Sequence, residues 1–324
     1  MKALLAAALL FAGPSIASAE EQPIRIWGTP AMLGLAEQWA EVYSGRHPGV
    51  RFEYVMKGSD SAIHGLVGGV ADIALMGREN DIVDDNGFSR PKQYHAMRIE
   101  IATGSVSVPG KSDAIAVMVH RDNPLASLTL DQLARIVDCG DQRRPIATWG
   151  DLGVKGARAG RPIRVHAYDF STRTGLWFQN RVTGKDRRMC WDRIAEYSDM
   201  RRLDGTTAAA ADRAGDGGRS DPDALVIANA AQARAGLKLV ALGEKGKSLL
   251  PTRANIASRA YPLTRRAYAF IDRAPGKAVA PHILDFLRFV LSAEGQKLVE
   301  RDNGYLPLDR QIAAAQLSIL ESKE

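Results

Sequence analysis

The sequence has little cysteine and little histidine, which limits the chemistry available to it. Only two cysteines and six histidines occur among 324 residues, and they form neither an H-E-x-x-H pair nor a cluster at zinc-ligand spacing. A G-x-S-x-G elbow, the turn that carries the nucleophile of many serine hydrolases, is also absent. The sequence therefore predicts a protein that is not an enzyme and that has no metal site and no cofactor.

The N-terminal apolar run is too short to cross a bilayer. It covers residues 3–11, half of the roughly 20 residues that a membrane helix needs. Lys2 precedes the run, and the small residues ASA at 17–19 follow it as an A-x-A cleavage site. We therefore predict a signal peptide over residues 1–19 and a free mature protein in the periplasm. Because no cysteine lies near the cleavage site, a lipid anchor is not expected.

The excess of positive charge is small and scattered. Lysine and arginine number 43 against 37 aspartates and glutamates, which gives a formal net charge of +6. This charge favours anionic partners, but the basic residues do not form the cluster that a nucleic-acid-binding face requires. Nucleic acid is therefore not an expected partner.

Cys139 and Cys190 are the two cysteines of the chain. In an exported protein, a single pair of cysteines more often forms a disulfide than a metal or catalytic site. We therefore predict a disulfide between them.

Short strand patterns alternate with helical ones along most of the chain, as in an α/β sheet. Strands are predicted near residues 24–27, 50–56, 71–75, 114–119, 224–227, 237–242 and 268–271, and helices near 32–43, from 59, from 129 and over 281–299. Residues 81–93 are predicted to be irregular, and the Ala- and Gly-rich stretch 205–221 to be an exposed loop, in part helical. The roughly 300 residues after the signal peptide are enough for two domains.

Three segments share one design, in which small hydroxyl or glycine residues end a strand and a helix begins at once. They are GTPA at 28–31, GSDS at 58–61 and STRTG at 171–175. The unpaired N–H groups at such helix starts and the positive end of the helix dipole suit an anion, and Arg173 can add a charge. Each segment taken alone is more often an ordinary N-cap, so an anion site requires that the three converge.

Longer motifs resemble those of the periplasmic phosphate-binding proteins that serve phosphate ABC transporters, over nearly all of the mature chain. VADIA at 70–74, with Arg78 after it, resembles the family's vDIa stretch and its terminal arginine. YPLTR at 261–265 resembles the segment that returns the chain to the first lobe. The tail is the most specific match, with FLRFVLS at 286–292, EGQ at 294–296 and GYLPL at 304–308.

The resemblance implies a type II periplasmic-binding-protein fold, in which two α/β lobes are joined by two hinge-crossing segments. Residues 20–108 and 260–324 would form lobe 1 and residues 109–259 lobe 2, with crossings near 103–113 and 257–263. Such a protein captures inorganic phosphate, or a similar oxyanion, between its lobes, and a monomer in the closed form is what an ABC transporter permease recognises. The implied activity is binding, without a reaction.

The family's ligand contacts, carried over position by position, fall on eight residues of this chain. They are Thr29, Ala31, Ser59, Gly77, Arg78, Thr172, Arg173 and Thr174. Two of these depart from the family pattern, because Gly77 stands where the family often has an acid or serine that receives a phosphate proton, and Arg173 replaces the glycine of an SGT helix start. Arg173 either supplies charge or crowds the site. Without the acid we expect weaker discrimination against sulfate, unless Asp60 or Asp169 replaces it.

Two other functions stay open at the level of the sequence. A signalling or scaffold protein on the same fold would have a degenerate cleft and bind no oxyanion tightly, and the departures at Gly77 and Arg173 keep this alternative open. A secreted phosphatase would need metal ligands or a nucleophile with its base, for which the sequence offers no motif.

Overall fold

The protein forms two α/β lobes, each built around one main sheet. The computed structural model describes residues 23–322, except 109–110, 141–143, 170–171, 185–186, 188, 202–206, 235 and 245. The predicted signal peptide at 1–19 lies outside the described residues. Among the helices of the described residues, none is long and apolar enough to cross a membrane.

The elements are labelled in chain order. The strands are β1 (Ile24–Gly28), β2 (Phe52–Val55), β3 (Ile73–Met76), β4 (Met97–Thr103), β5 (Ile115–His120), β6 (Ser127–Thr129), β7 (Arg164–Tyr168), β8 (Ile194–Tyr197), β9 (Met200–Arg201), β10 (Thr207–Ala208), β11 (Ala224–Asn229), β12 (Leu237–Glu244), β13 (Lys247–Leu249) and β14 (Arg266–Ile271). The helices are α1 (Leu33–Ser44), α2 (Ser59–Val67), α3 (Ile82–Lys92), α4 (Leu130–Val137), α5 (Arg173–Val182), α6 (Ala210–Ser220), α7 (Arg253–Ala257), α8 (Pro281–Leu291), α9 (Ala293–Asp302) and α10 (Arg310–Glu321).

The first lobe is built from both ends of the chain. Its sheet has the order β2-β1-β3-β14-β4, with β1 parallel to both neighbours and β14 antiparallel to β3 and β4. Apolar residues of α1, α8, α9 and α10 cover one face, and those of α2 and α3 cover the other. Because both faces are buried, strands such as β3 are apolar throughout instead of alternating.

Buried polar contacts fix the C-terminal helices onto the first sheet. The indole Nε1 of Trp39 on α1 donates to the carbonyl of Gly295 on α9 at 2.9 Å. The amide of Gln296 donates to the carbonyl of Ile101 on β4 at 3.1 Å and accepts from the N–H of Leu308 at 2.7 Å. A helix predicted over 281–299 is therefore two helices, because Ser292 ends α8 and its hydroxyl caps α9 by accepting from Gly295 N–H.

The second lobe is continuous in sequence. Its sheet has the order β13-β12-β5-β11-β7-β8, and β6 pairs with β12. One face is covered by α4, α5 and α7 and the other by α6. The predicted Cys139–Cys190 disulfide is confirmed, and it joins the segment after α4 to the segment before β8. Beside it, the N–H of Cys190 donates to the carbonyl of Val137 at 2.6 Å.

Two segments predicted to be irregular or exposed are helices. Residues 81–93, predicted to be irregular, contain α3, which a capping box starts: the Asp81 carboxylate accepts from the N–H groups of Val83 and Asp84, and the Asp84 carboxylate accepts from Asp81 N–H. The helix buries only Asp84 and Phe88, so the apolar period that would have revealed it is missing.

The Ala- and Gly-rich stretch 205–221 contains α6, whose small residues are buried and not exposed. A Cβ on Gly218 would lie 2.0 Å from Cγ2 of Val226 on β11, and one on Gly217 would lie 2.2 Å from the Tyr197 hydroxyl. The low-complexity composition therefore reflects close packing of the helix against the sheet.

A buried histidine beside α6 is expected to make stability depend on pH. Burial lowers the pKa of His166 from 6.5, although Asp221, whose carboxylate lies 3.6 Å from Nε2, acts in the opposite direction. Below pH 6.5 the unfolded chain therefore binds a proton that the folded protein does not, and the free energy of unfolding falls as the pH decreases. The slope contributed by one such group is at most about 1.4 kcal/mol per pH unit.

Urea unfolding at pH 7.5 and 5.5 measures this effect. We expect His166→Gln to lose less stability than the wild type over this interval. His95→Gln, which replaces an exposed histidine, is the control and should follow the wild type. Equal pH dependence of H166Q and the wild type would contradict the assignment.

Candidate functional site

The two crossings between the lobes lie side by side. The N–H of Ile115 donates to the carbonyl of Leu263 at 3.1 Å, and the N–H of Gly104 donates to the carbonyl of Arg265 at 2.7 Å. Gly104 has to be a glycine here, because a Cβ would lie 2.5 Å from the Ser112 carbonyl oxygen and 2.8 Å from that of Arg265. The crossings therefore form one hydrogen-bonded unit between the lobes.

A cavity of about 220 Å³ lies next to these crossings. Both lobes and both crossings line it, through Thr29, Ala31, Ser59, Gly77, Arg78, Lys111, Ser112, Asp113, Tyr168, Thr174, Asn229, Arg265 and Tyr305. Among the lining residues, Thr29 follows β1, Gly77 follows β3, Tyr168 ends β7 and Asn229 ends β11. The cavity, which we call the interlobe cleft, therefore has the position at strand ends that α/β proteins use for ligands.

Six of the eight predicted site residues line the interlobe cleft. They are Thr29, Ala31, Ser59, Gly77, Arg78 and Thr174. Two of the three predicted helix starts have no side-chain cap. Their N-cap residues are Thr29, which lines the cleft, and Gly58, which precedes α2. Gly58 has φ of 117°, which a side chain would strain. The first-turn N–H groups of α2 are therefore not occupied by a capping side chain.

Thr172 and Arg173 do not line the cleft, and each has a structural partner instead. The Thr172 hydroxyl caps α5 by accepting from Gly175 N–H at 2.9 Å, and it donates to the carbonyl of Asp169 at 2.7 Å. Arg173 Nη1 lies 2.6 Å from Asp81 Oδ2, and Nη2 lies 3.5 Å from Asp60 Oδ1. Arg173 thus connects α5 of the second lobe with α2 and α3 of the first, and it does not enter the site.

These interlobe ion pairs are expected to favour contact between the lobes. Because the side chains are partly exposed, the pairs contribute on the order of 1 kcal/mol, a change of about fivefold in the ratio of closed to open protein. We expect Arg173→Gln to increase the radius of gyration of the ligand-free protein in solution scattering. Arg46→Gln, which removes an ion pair with Glu294 inside the first lobe, is the control. An unchanged radius for R173Q would contradict this role.

Three basic residues line the cleft, and each has an acidic partner. Arg78 binds Asp84 through Nη1 at 2.5 Å and Nη2 at 3.1 Å. Lys111 Nζ donates to the Ala31 carbonyl at 2.6 Å and lies 3.6 Å from Asp302. Arg265, buried to 4 % exposure, donates from Nε to Glu79 at 2.7 Å, and its Cζ lies 4.6 Å from the Trp177 ring centre. The cleft can therefore hold an anion without a large uncompensated positive charge.

Neutral hydrogen-bonding groups complete the lining. Burial raises the pKa of Tyr168 and of Tyr305, so both phenols keep their proton at neutral pH and can donate it to an anion. Oδ1 of Asn229 is buried and has no hydrogen-bond partner among the described residues, whereas the buried Tyr305 hydroxyl interacts with the Ser112 side chain. Since buried polar atoms in proteins are rarely unpaired, Oδ1 of Asn229 points to a ligand.

Asp60 and Asp169, which the sequence suggested as substitutes for the family's acid at position 77, do not line the cleft. The Asp60 carboxylate binds Arg78 Nη2 at 2.7 Å, and Asp169 is outside the lining. The carboxylate that lines the cleft is Asp113. Burial raises its pKa, opposed by hydrogen bonds from Ser105, Val108 and Ser107.

Sequence reasoning did not assign Lys111, Ser112, Asp113, Asn229, Arg265 or Tyr305 to the site. Four of these lie in the crossings and one in the C-terminal tail, and the sequence gives no spacing that brings them together. The usable signal was the predicted position of the crossings, because a segment that joins two lobes passes the cleft between them. In the described part of the chain, no group of three or more His, Cys, Asp or Glu residues could hold a metal ion.

Comparison with known proteins places this architecture in a family. A family model described as a PBP superfamily domain matches residues 13–294. The chain belongs to the PBP superfamily. Within it, the chain is similar to the phosphate-binding protein PstS of Pseudomonas aeruginosa, with 27% identity over 292 residues that cover 88% of this chain and 83% of the relative. It is also similar to the protein SphX of Synechococcus elongatus, with 23% identity over 294 residues that cover 90% of this chain and 79% of the relative.

Solved structures agree with the two-lobed fold. PstS from Borrelia burgdorferi superposes with a TM-score of 0.59 at 18% identity, and the superposition covers 89% of this chain and 100% of the PstS chain. An ABC-type phosphate transport receptor from Vibrio cholerae gives a TM-score of 0.56 at 21% identity, over 88% and 100% of the two chains. The two-lobed α/β fold class predicted from the sequence is therefore confirmed. The resemblance to the periplasmic phosphate-binding proteins is confirmed as well.

The comparisons also bear on the class of function. The Pseudomonas aeruginosa relative is named as a phosphate-binding protein and the Vibrio cholerae structure as a phosphate transport receptor, which agrees with the prediction of a protein that is not an enzyme. The alternative of a signalling or scaffold protein has no support among them.

Proposed function

We propose that the protein binds inorganic phosphate, or a similar oxyanion, in the interlobe cleft and delivers it to the permease of an ABC transporter. The observation that supports this most directly is the composition of the cleft, where donors from both lobes and both crossings surround one cavity. The PstS relatives, named as phosphate-binding proteins, support the same ligand.

The size and chemistry of the cleft favour a compact anion. A cavity of about 220 Å³ is below the roughly 300–1,000 Å³ of sites for larger organic ligands. Lys111 and Arg265 offer charge, and the Thr29, Ser59 and Thr174 hydroxyls offer neutral donors. Charge-assisted hydrogen bonds of this kind are the stronger ones in proteins, so several together hold a desolvated anion.

Delivery requires that the lobes move relative to each other. We propose hinge closure at the paired crossings, with lobe 1 comprising residues 20–108 and 260–324 and lobe 2 residues 109–259. The protein would act as a monomer in the periplasm, after removal of residues 1–19, and the closed form would contact the permease.

Isothermal titration calorimetry tests the proposal. The mature protein is unfolded and refolded to remove bound ligand, its mass in solution is measured by light scattering, and phosphate is then titrated. One-to-one binding with a dissociation constant in the micromolar range or below is expected. If neither phosphate nor sulfate nor arsenate binds, the proposed function is wrong.

A further inference from the structure

Three carboxylates of the first lobe surround Arg78, one of the residues that line the interlobe cleft. Asp84 lies 2.5 Å, Asp60 2.7 Å and Asp81 3.8 Å from its guanidinium. These contacts use Nη1 and Nη2 of Arg78, and its Nε takes part in none of them. Because one guanidinium does not balance three carboxylates, the first lobe alone has a surplus of acid beside the cleft, which opposes the binding of an anion.

The second lobe supplies a second guanidinium to two of these acids. Arg173 lies 2.6 Å from Asp81 Oδ2 through Nη1 and 3.5 Å from Asp60 Oδ1 through Nη2, and we call these two ion pairs the interlobe latch. Arg78 meets the same two oxygens, Oδ2 of Asp81 and Oδ1 of Asp60. The other oxygen of Asp81, Oδ1, caps α3 and is not shared. The two arginines, one from each lobe, therefore compete for the same carboxylate oxygens.

The start of α5 connects the interlobe latch to the ligand site. Arg173 is the first residue of this helix, and Thr174, the next residue, lines the cleft. A movement of the second lobe that brings Thr174 towards a ligand therefore also brings Arg173 towards Asp60 and Asp81. In the SGT helix start of the family that this chain resembles, a glycine takes the place of Arg173, and glycine has no side chain that could form the latch.

We propose that Arg173 is a positioning residue that makes the interlobe latch respond to the bound anion, an inference that rests on the proposed function. An anion in the cleft attracts the Arg78 guanidinium and weakens its hold on the shared oxygens of Asp60 and Asp81. Those oxygens then interact more strongly with Arg173, and the latch holds the lobes together more firmly. Coupling between two interactions is reciprocal, so the latch strengthens ligand binding by the same factor, although Arg173 does not line the cleft.

The interlobe latch should act mainly on the release of the ligand. Arg173 meets Asp60 and Asp81 only while the lobes are in contact, so these pairs must break before an enclosed ligand leaves. Association begins with the open protein, in which the pairs are absent, and its rate should depend little on Arg173. Because exposed ion pairs are individually weak, the expected change in the rate of release is about fivefold.

Calorimetry and rapid mixing with phosphate test the role of Arg173. Arg173→Gln should raise the dissociation constant and the rate of release about fivefold, whereas the rate of association should stay within about twofold of the wild-type value. Tryptophan fluorescence can follow the rates, because Trp177 contacts Arg265 of the cleft. Arg46→Gln, which removes an exposed ion pair within the first lobe, is the control and should keep the wild-type rates.

Salt separates the charge of Arg173 from its packing. At an ionic strength of about 1 M the Debye length is about 3 Å, so the difference in release rate between R173Q and the wild type should nearly disappear. A loss of packing would leave the difference in place. Arg173→Lys keeps the charge and should release phosphate more slowly than R173Q at low salt.

A double-mutant cycle tests whether the shared acid carries the effect. Asp81→Asn keeps an oxygen that can cap α3 but removes the charge for which Arg78 and Arg173 compete. In the D81N background, R173Q should therefore accelerate release by less than it does in the wild type. Circular dichroism checks the fold of each variant.

Two results would overturn the inference. One is a wild-type rate of release in R173Q, and the other is an equal effect of R173Q with and without Asp81. Both leave phosphate binding by the wild type intact. Failure of the wild type to bind phosphate, arsenate or sulfate would instead refute the proposed function.

Discussion

Phosphate binding is expected to weaken about a hundredfold when Arg265 is replaced by methionine, because a charged hydrogen-bonding group is removed from a desolvated site. Methionine keeps much of the side-chain volume, so packing against Trp177 is largely retained. Glu79, the partner of Arg265, still accepts the N–H of Arg266 at 2.9 Å. We therefore expect the variant to fold, and calorimetric titration with phosphate measures the loss.

Arg266→Met is a matched control for this prediction. Arg266 is the next residue, but its side chain is 45% exposed, lies 3.7 Å from Glu100 and does not line the cleft. R266M should bind phosphate like the wild type. If R265M retains full affinity, the ligand does not contact Arg265, and the charge must come from Lys111 or Arg78.

Removal of the disulfide has the largest expected effect on stability. The Cys139–Cys190 bond closes a loop with a sequence separation of 51, and cross-linking a loop of that size stabilises a protein by about 4 kcal/mol in the chain-entropy model. We expect Cys139→Ala/Cys190→Ala to lower the free energy of unfolding by about this amount. Alanine avoids placing a hydroxyl at Cys190, which is buried.

Urea unfolding followed by circular dichroism measures the change. The wild type treated with a reductant should resemble the double variant, because both lack the cross-link. A loss below about 1 kcal/mol would show that other contacts, such as the bond from Cys190 N–H to Val137, already hold the ends of the loop. Phosphate affinity is expected to change little, since neither cysteine lines the cleft.

The regular elements could be predicted from the sequence where local signals agree. Strands β3, β5 and β11 are apolar runs between turn residues, and the capping box of Thr129 starts α4 as predicted. Helix α3 is not evident because it lies on the surface with little apolar period. Helix α6 is not evident because its composition of small residues is typical of a flexible loop. Small residues are needed there because the helix packs closely against Val226 and Tyr197, and only the folded protein shows this contact.

The candidate site could be predicted in part, for a physical reason. Thr29, Ser59 and Gly77 follow strands, and local sequence marks such turns. Arg173 also follows a strand, but its partner Asp81 is in the other lobe, so its role depends on how the lobes meet. Tyr305 and Asp113 come together only through the fold, and no local pattern shows that Tyr305 lies beside Gly77 or that Asp113 lines the same cleft.

The place of β14 in the first sheet has a consequence for biosynthesis. This strand lies between β3 and β4, yet it is made long after both of them. Strands β5 to β8 and β11 to β13, by contrast, are all made before it and form a sheet without it. A growing chain can complete the second sheet first, while β3 and β4 wait with unpaired edges. Such edges pair readily with other chains, so an interrupted or truncated product is expected to aggregate through its N-terminal strands.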